Sequence, residues 1–545
     1  MDSPPDNPAS APAWGTRPGV TALAVALALL LGLGSVLLQV RIQCGYPLRE
    51  IDTMQRAGSA RMLLETGRWS TRVLRSWELV GHEHTAEHRP WPIQNWSLGY
   101  PLCLAAVFAL GRNYDAALLA WSITMYVGCV LLTFLLARRL WDQRTALAAV
   151  ALFLAYAALP LWSALGHIES TYAVCLLAAT LLLLPRHVPP TIHDPRSTIH
   201  GLTAGVLLGA AFSLRPTALF WAPLLLLAGV GAPTAWRRRA RWAALAGLAL
   251  MVAAGALLTR SLSVPPLPST GPAISYTQMS LRETTHLEAT TDDVTPPALS
   301  SRQLLRAWPL LAKKVARGGV EALGDLDILL PAALLMLAPL GLALSLPEPR
   351  RRVLAGALLA AAALTLLAVA LTVYFGLSRY AAAWGPFAAV YGAAALVWLW
   401  DRARASRVRA APALVIVLAG LVAGGGYVSV ALPMTTLTRT PEAYLLARQV
   451  QPLFPPDAIV AGACAYELSW HARLRAIQTE NLSPELMLEL DRRLIRLDGF
   501  VMETRAFPGE PPPTLGDFRR LRVFTVPYEI LKGRVQARTW VAYGR

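Results

Sequence analysis

The side chains whose chemistry needs explaining are the ionisable ones set inside or beside long apolar runs. Asp52 opens a stretch with helical spacing, Thr53 to Leu64, soon after the first such run. Glu169 stands with His167 in the turn Gly166-His167-Ile168-Glu169 between two others. Arg215-Pro216 breaks a fourth run, and Ser378-Arg379-Tyr380 precedes a late one. Ionisable groups at membrane depth are costly and mark function more often than soluble ones do. A carboxylate can take a proton from an attacking hydroxyl, and arginine forks hold phosphate oxygens. An outward cavity with both suits a substrate that has an anionic head and a lipid tail.

Each of these residues also has a structural reading. Asp52, with Gln55 three positions on, reads equally as a helix N-cap. His167 and Glu169 could mark the water boundary, and Arg215 and Arg379 could snorkel at helix breaks. The segment Gly81-His82-Glu83-His84-Thr85-Ala86-Glu87-His88 offers His82, His84 and His88 as imidazole ligands for a metal, with glutamates beside them. It matches no fixed zinc spacing, and a solvated polar loop accounts for the same residues.

The elements that must position these groups follow from composition. Of 545 residues 55% are apolar and 15% charged, against about 25% charged in an ordinary soluble domain. The mean hydropathy is +0.44. These values exclude a soluble enzyme, a disordered chain and a collagen-like fibre, and leave a polytopic membrane protein. The net charge of +17 then belongs on cytoplasmic loops and calls for no nucleic-acid partner. Only Lys313, Lys314 and Lys532 of the 50 basic residues are lysines, a bias expected of a GC-rich bacterial genome. The five cysteines lie far apart, Cys103, Cys129 and Cys175 inside apolar runs, with no disulfide framework.

The first apolar run, 20–40, is too long for a signal-peptide core and reads as an uncleaved anchor. Further spans are expected near 115–137, 145–164, 168–185, 201–214, 217–231, 241–259, 327–346, 353–373, 381–400 and 411–432. The run 98–111 would reach only about 21 Å, against a hydrocarbon core of about 30 Å, and reads as a surface or re-entrant helix. Sixteen arginines cluster in the connections after 137, 185, 231, 346 and 400. The three short connections between them carry only Arg215 and Arg379. Positive residues stay inside, which gives about 11 transmembrane helices, the N-terminus in and the C-terminus out. A rival topology puts the N-terminus outside and loop 41–97, with its eight arginines, inside.

The expected organisation is a cytoplasmic tail 1–19, a transmembrane domain 20–432 with outer loops 41–114 and 261–325, and an extracytoplasmic α/β domain 433–545. In that tail, 458–461, 499–502 and 523–526 read as strands, and 444–450 and 484–496 as helices. No glycine-rich phosphate loop, nucleophile elbow or repeat is present, which fits an enzyme whose donor arrives on a lipid.

The motifs in order resemble the GT-C class of integral membrane glycosyltransferases, the broad group that includes aminoarabinose transferases and protein O-mannosyltransferases. Glu50-Ile51-Asp52 with Glu65-Thr66-Gly67-Arg68-Trp69 is similar to the family's acidic motif and the run after it. The family often has adjacent acids; here Ile51 separates them. Tyr100-Pro101-Leu102 resembles its proline–leucine segment, and Leu136-Ala137-Arg138-Arg139-Leu140-Trp141 the cytoplasmic end of its next span. Glu169 falls where a second acid is frequent, Leu214-Arg215-Pro216-Thr217 matches an arginine–proline break, and Ser378-Arg379-Tyr380 before Gly385-Pro386 matches a late span's start.

The resemblance implies transfer of a sugar from a polyprenyl-phosphate donor to a lipid, glycan or protein acceptor, at the outer face of a bacterial inner membrane. Asp52 is the expected base and Glu169 an acid that orients the acceptor or helps hold a divalent metal ion. Arg379, Tyr380 and Arg215 are expected on the donor phosphate, and direct displacement would invert the anomeric centre. Two alternatives use a similar architecture: a transporter or flippase of an anionic lipid, and a polysaccharide polymerase or ligase. A transporter predicts an inverted repeat with matching broken helices, and Arg215-Pro216 has no counterpart in the second half.

Overall fold

The structure is a computed structural model. It describes residues 18–42, 51–79, 97–184 (except 112 and 157), 196–227, 234–265, 332–372, 382–406, 442–479, 483–530 and 534–545, with short stretches besides that include 84–87 and 90–93. The first half runs α1 (Pro18–Ile42), α2 (Ile51–Thr66), β1 (Ser70–Thr71), β2 (Val73–Arg75), β3 (Trp91–Pro92), α3 (Gly99–Leu110) and α4 (Tyr114–Leu140). Then come α5 (Gln143–Leu154), α6 (Ala158–Ala164), α7 (Glu169–Leu183), α8 (Arg196–Leu214), a 3-10 segment (Pro216–Leu227) and α9 (Thr234–Leu262). Helices α10 (Ala332–Leu344), α11 (Pro349–Thr372) and α12 (Gly385–Ala405) follow.

Among the described residues four helices are long and apolar enough to cross a membrane, or five if the bent pair α5–α6 is one span. Several other apolar runs fold as shorter or bent pieces, for local reasons. The run expected at 145–164 bends by 57° between α5 and α6. In the run expected at 217–231, Pro216 and Pro223 supply no N–H, and the segment winds as a 3-10 helix. At about 2.0 Å per residue those twelve residues still reach roughly 24 Å. The run 98–111 does form a separate short helix, α3. Most of 411–432 lies outside the described residues.

Helices α8 and α9 pack through a stripe of small residues. Gly201, Gly205 and Gly209 repeat every four residues on α8, and a Cβ at Gly205 would fall onto the Ala244 carbonyl. Gly247 of α9 meets the Leu202 carbonyl in the same way. Lipid tails give helices no hydrophobic reason to associate, so close backbone approach supplies the contact.

Helix α4 sets the long axis. Asn113 caps it by accepting from the Ala116 N–H at 3.2 Å, and Arg138 and Arg139 fill its last turn. Its 27 residues span about 40 Å. At the far end the Arg351 Nε donates to the Leu140 carbonyl at 2.7 Å and its guanidinium lies 5.0 Å from the Trp141 ring centroid. At the near end Asp115 accepts from Trp470 Nε1 at 3.3 Å. The arginine-rich connection at 350–352 and the helix Ala465–Ala472 of the C-terminal domain therefore contact opposite ends of one helix.

The sheet of that domain has seven strands in the order β2-β5-β4-β6-β9-β8-β7. Its C-terminal members are β4 (Ile459–Gly462), β5 (Arg475–Gln478), β6 (Gly499–Glu503), β7 (Thr514–Leu515), β8 (Phe518–Ile530) and β9 (Arg534–Gly544), with helices α13 (Glu442–Val450), α14 (Ala465–Ala472) and α15 (Pro484–Arg493). Strands β2, β5, β4 and β6 are parallel, and β9, β8 and β7 continue antiparallel. Alternation divides the core. Val73, Ala476, Val460, Val501 and Ala542 join the core shared with the helices, while Leu74, Ile477, Ile459, Ala461, Phe500 and Val541 build a second core with Met487 and Leu490 of α15. Helix α15 starts as its sequence dictates: Ser483 accepts from the Leu486 N–H at 3.1 Å and Pro484 takes the first helical position.

The five elements read from the tail sequence coincide with β4, β6, β8, α13 and α15. Strand β2 comes from the first loop and pairs Val73 with Ala476 and Leu74 with Ile477. Three residues of alternation were too few to mark it as a strand.

Candidate active site

Helix α2 is the floor of the site. Its polar residues Asp52, Thr53, Arg56 and Ser59 are all buried, Asp52 at 6% exposure. Spacing of four residues stacks Arg56 one turn after Asp52 on the same face. Asp52 lies one residue inside the helix, in its first turn, where a carboxylate also complements the helix dipole.

The turn between α6 and α7 closes over this floor. Gly166 has φ +70°, a left-handed conformation that glycine adopts without strain, and a Cβ there would come 3.3 Å from Thr53 Cγ2. The Tyr100 hydroxyl of α3 donates to the Gly166 carbonyl at 2.8 Å. The same ring lies within electrostatic range of both Arg56 and Glu169. Helix α3 is itself anchored at the arginine–proline break, where Ser97 Oγ donates to the Leu214 carbonyl at 2.5 Å.

Glu169 opens α7 and is fully buried. Arg215, at the end of α8 and 5% exposed, forms an ion pair with Glu169 Oε1. The His167 Nδ1 lies 3.1 Å from the same oxygen. A guanidinium of the protein thus already neutralises Glu169. Among the described residues no three His, Cys, Asp or Glu side chains gather to hold a metal ion. Beyond the break, Trp221 stacks on Trp384 with ring centroids 4.2 Å apart, just before Gly385-Pro386.

The structure therefore brings together Glu169, Arg215 and His167, and sets the turn that carries His167 and leads to Glu169 against Thr53, the residue after Asp52. Arg379 and Tyr380 lie outside the described residues, as do His82 and His88. His84 is described, and both ring nitrogens have partners: Nδ1 meets Glu87 at 2.8 Å and Nε2 the Arg492 carbonyl at 3.3 Å. These contacts raise its pKa, Glu87 first, and tie the first loop to α15.

Arg56, Tyr100, Arg75, Glu78 and Tyr466 were not singled out as site residues. The sequence did signal Arg56, one helical turn after Asp52. It had no signal for Tyr466, which is buried on α14, more than 400 positions away, on a helix that packs against α2.

No protein-family model matches the chain, and no curated protein matches it in sequence. Solved structures do match in fold. Aminoarabinose transferase ArnT from Cupriavidus metallidurans, bound to undecaprenyl phosphate, superposes with a TM-score of 0.54 at 14% identity, covering 96% of this chain and 98% of that one. The archaeal oligosaccharyltransferase AglB from Archaeoglobus fulgidus, in complex with an inhibitory peptide and a dolichol-phosphate, gives 0.54 at 12% identity over 89% of this chain and 69% of that one. The Archaeoglobus fulgidus oligosaccharyltransferase in complex with Zn and sulfate gives 0.54 at 12% identity over 88% and 68%. The chain is a polytopic membrane protein with the fold of the GT-C class of membrane glycosyltransferases.

Proposed function

We propose that this chain is a glycosyltransferase that moves a sugar from a polyprenyl-phosphate donor to an acceptor hydroxyl at the outer face of a bacterial inner membrane. The observation that carries the reading is a buried carboxylate, Asp52, on a helix whose next residue, Thr53, lies against the Gly166 turn that leads to a second buried acid paired with Arg215. The ArnT and oligosaccharyltransferase neighbours, with their bound undecaprenyl phosphate and dolichol-phosphate, support the donor class. Contacts of one arginine-rich connection and of the C-terminal domain at opposite ends of α4 support the reading with the arginine connections inside and the C-terminus outside.

In this reading the acceptor oxygen attacks the anomeric carbon as Asp52 takes its proton. The bond from that carbon to the phosphate oxygen breaks, and polyprenyl phosphate leaves with inversion. Arg379 and Tyr380 hold the phosphate as its charge develops. Arg215, paired with Glu169, is the third residue assigned to the phosphate. Glu169 orients the acceptor.

Mass spectrometry of lipid-linked sugars and envelope glycans in a deletion strain tests the reading. A polyprenyl-phosphate sugar should accumulate and one glycan modification should vanish, both reversed by the restored gene. Unchanged pools of both would overturn it.

A further inference from the structure

The last carbonyls of a helix have no partner inside it. Those at the end of α14 are taken by arginines of α2 and of the segment that follows it. The Trp470 carbonyl accepts from Arg61 Nη1 of α2 at 3.3 Å, and the carbonyl of the C-cap residue Arg473 accepts from Arg72 Nη1 at 2.7 Å. Cations placed there also meet the negative end of the helix dipole. Both arginines are themselves held: Arg61 Nε pairs with Glu65 at 2.8 Å, and Arg72 Nη1 with Asp457 at 2.9 Å.

The Trp470 side chain reaches the opposite way. It is buried, and its indole N–H donates to Asp115 Oδ1, in the first turn of α4, at 3.3 Å. Its ring centroid lies 6.4 Å from that of Phe108 near the end of α3 and 6.5 Å from that of Tyr114 at the start of α4. Phe108 stacks on Tyr114 at 4.8 Å, and the Arg61 guanidinium lies 5.5 Å from the Trp470 ring centroid and 5.9 Å from that of Tyr114. One residue of the C-terminal domain thus meets α2, α3 and α4. The first two are the helices that fix the reacting end. Helix α2 carries Asp52 and lays Thr53 against Gly166, and Arg61 follows Asp52 by about 13.5 Å along the axis. Helix α3 holds the Gly166 carbonyl through Tyr100, and Phe108 follows Tyr100 by about 12 Å.

We propose that Trp470 is a positioning residue for transfer: it braces the far ends of α2 and α3 against the start of α4, and so sets where Asp52 stands relative to the Gly166 turn. This rests on the reading of Asp52 as the base. Trp470 acts through the two helices and not on the substrate. Its carbonyl fixes α2 through Arg61, its N–H fixes α4 through Asp115, and its ring fixes α3 through Phe108. The C-terminal domain is then a working part of the transferase, because a base displaced by about 1 Å can lose about 10²-fold in rate.

The test uses full-length protein in native membranes with the cell's own lipid-linked donor, and follows transfer per folded molecule by mass spectrometry. Trp470→Phe keeps a ring and removes the N–H; it should slow transfer about tenfold or more, the size of a lost hydrogen bond to a charged group. Asp115→Leu should lose as much, and Asp115→Asn, whose amide oxygen still accepts, should keep most of the rate. The double variant Trp470→Phe/Asp115→Leu should be no slower than either single one, since both break the same bond. All four should stay folded at the assay temperature and retain undecaprenyl phosphate, used as a probe of the donor end. A normal rate for Trp470→Phe, losses that multiply in the double variant, or losses matched by loss of folded protein would overturn the proposal. Asp52→Asn is the control. If it abolishes transfer while Trp470→Phe leaves the rate intact, this inference alone fails; if Asp52→Asn is fully active, the assignment of the base fails first.

Discussion

Glu169 and Arg215 meet as an ion pair with side-chain exposures of 0% and 6%, one at the start of α7 and the other at the end of α8. Removing one partner from such a pair strands the other charge and costs about 3–5 kcal/mol, whereas removing both is often nearly neutral. Arg215→Met and Glu169→Gln should each lower the melting temperature in detergent, and the double variant should recover most of the loss. Melting curves of the three variants check this. Unchanged melting of Arg215→Met would mean that Arg215 serves the ligand and not the fold.

The glycine stripe of α8 gives a second prediction. The chain-length and hydropathy signals that reveal a span say nothing about its neighbour. Gly201, Gly205 and Gly209 do, because their spacing of four puts them on one face of α8. Gly205→Leu should prevent the α8–α9 approach and yield little folded protein, since the clash is with the Ala244 backbone and not with a flexible side chain. Gly19→Leu, where a Cβ meets nothing, should be neutral. Equal yields of the two variants would contradict the close contact.

Much of this architecture was legible because apolar runs and strand alternation act locally. Asp52, Glu169 and Arg215 were legible as types out of place, a carboxylate or guanidinium at an apolar boundary. Their mutual pairing was not, because Glu169 and Arg215 lie 46 positions apart and on different helices. Joining β2 to β5 across 403 positions was still less visible, since strand pairing at that range leaves no periodicity in either segment. The run 217–231 misled in detail: its apolar content signals a span, but prolines decide the winding.

The acidity of α14 gives a third prediction. Burial pushes Glu467 up to about 7 and, with Arg448 and Arg61 nearby, pushes His471 down to about 4. The raised Glu467 pKa means the folded chain holds a proton that the unfolded chain has released, so this group's stability falls as pH rises through about 7. The depressed His471 pKa works in the other direction: its stability is present above about 6.5 and is lost as pH falls towards about 4. Glu467→Gln should therefore raise the melting temperature above neutral pH and leave it unchanged in acid. A uniform shift at all pH values would contradict this.

Topology gives a fourth. The sixteen-to-two division of arginines, read with the positive-inside rule, predicts Glu510 outside and Arg144 inside. Both side chains are accessible, at 84% and 52%. In a cysteine-free background, a membrane-impermeant maleimide applied to spheroplasts should label Glu510→Cys at once and Arg144→Cys only after permeabilisation. The reverse order would invert the protein in the membrane.

Asp52 gives the sharpest test, because one substitution separates its two roles at nearly constant shape. In the structure it lies one residue inside α2 and 6% exposed, beside Thr53, which meets the turn that Gly166 makes possible. Asparagine keeps the volume and the hydrogen-bonding oxygen, and caps a helix about as well as aspartate. It cannot accept the proton of an attacking hydroxyl. Transfer by Asp52→Asn should fall by about 10²-fold or more, the usual contribution of a general base. Folded yield and retention of undecaprenyl phosphate should persist, since neither depends on that proton. Near-normal turnover would reduce Asp52 to a helix-terminal residue and make Glu169, freed from Arg215 only at an energetic cost, the next acid to examine.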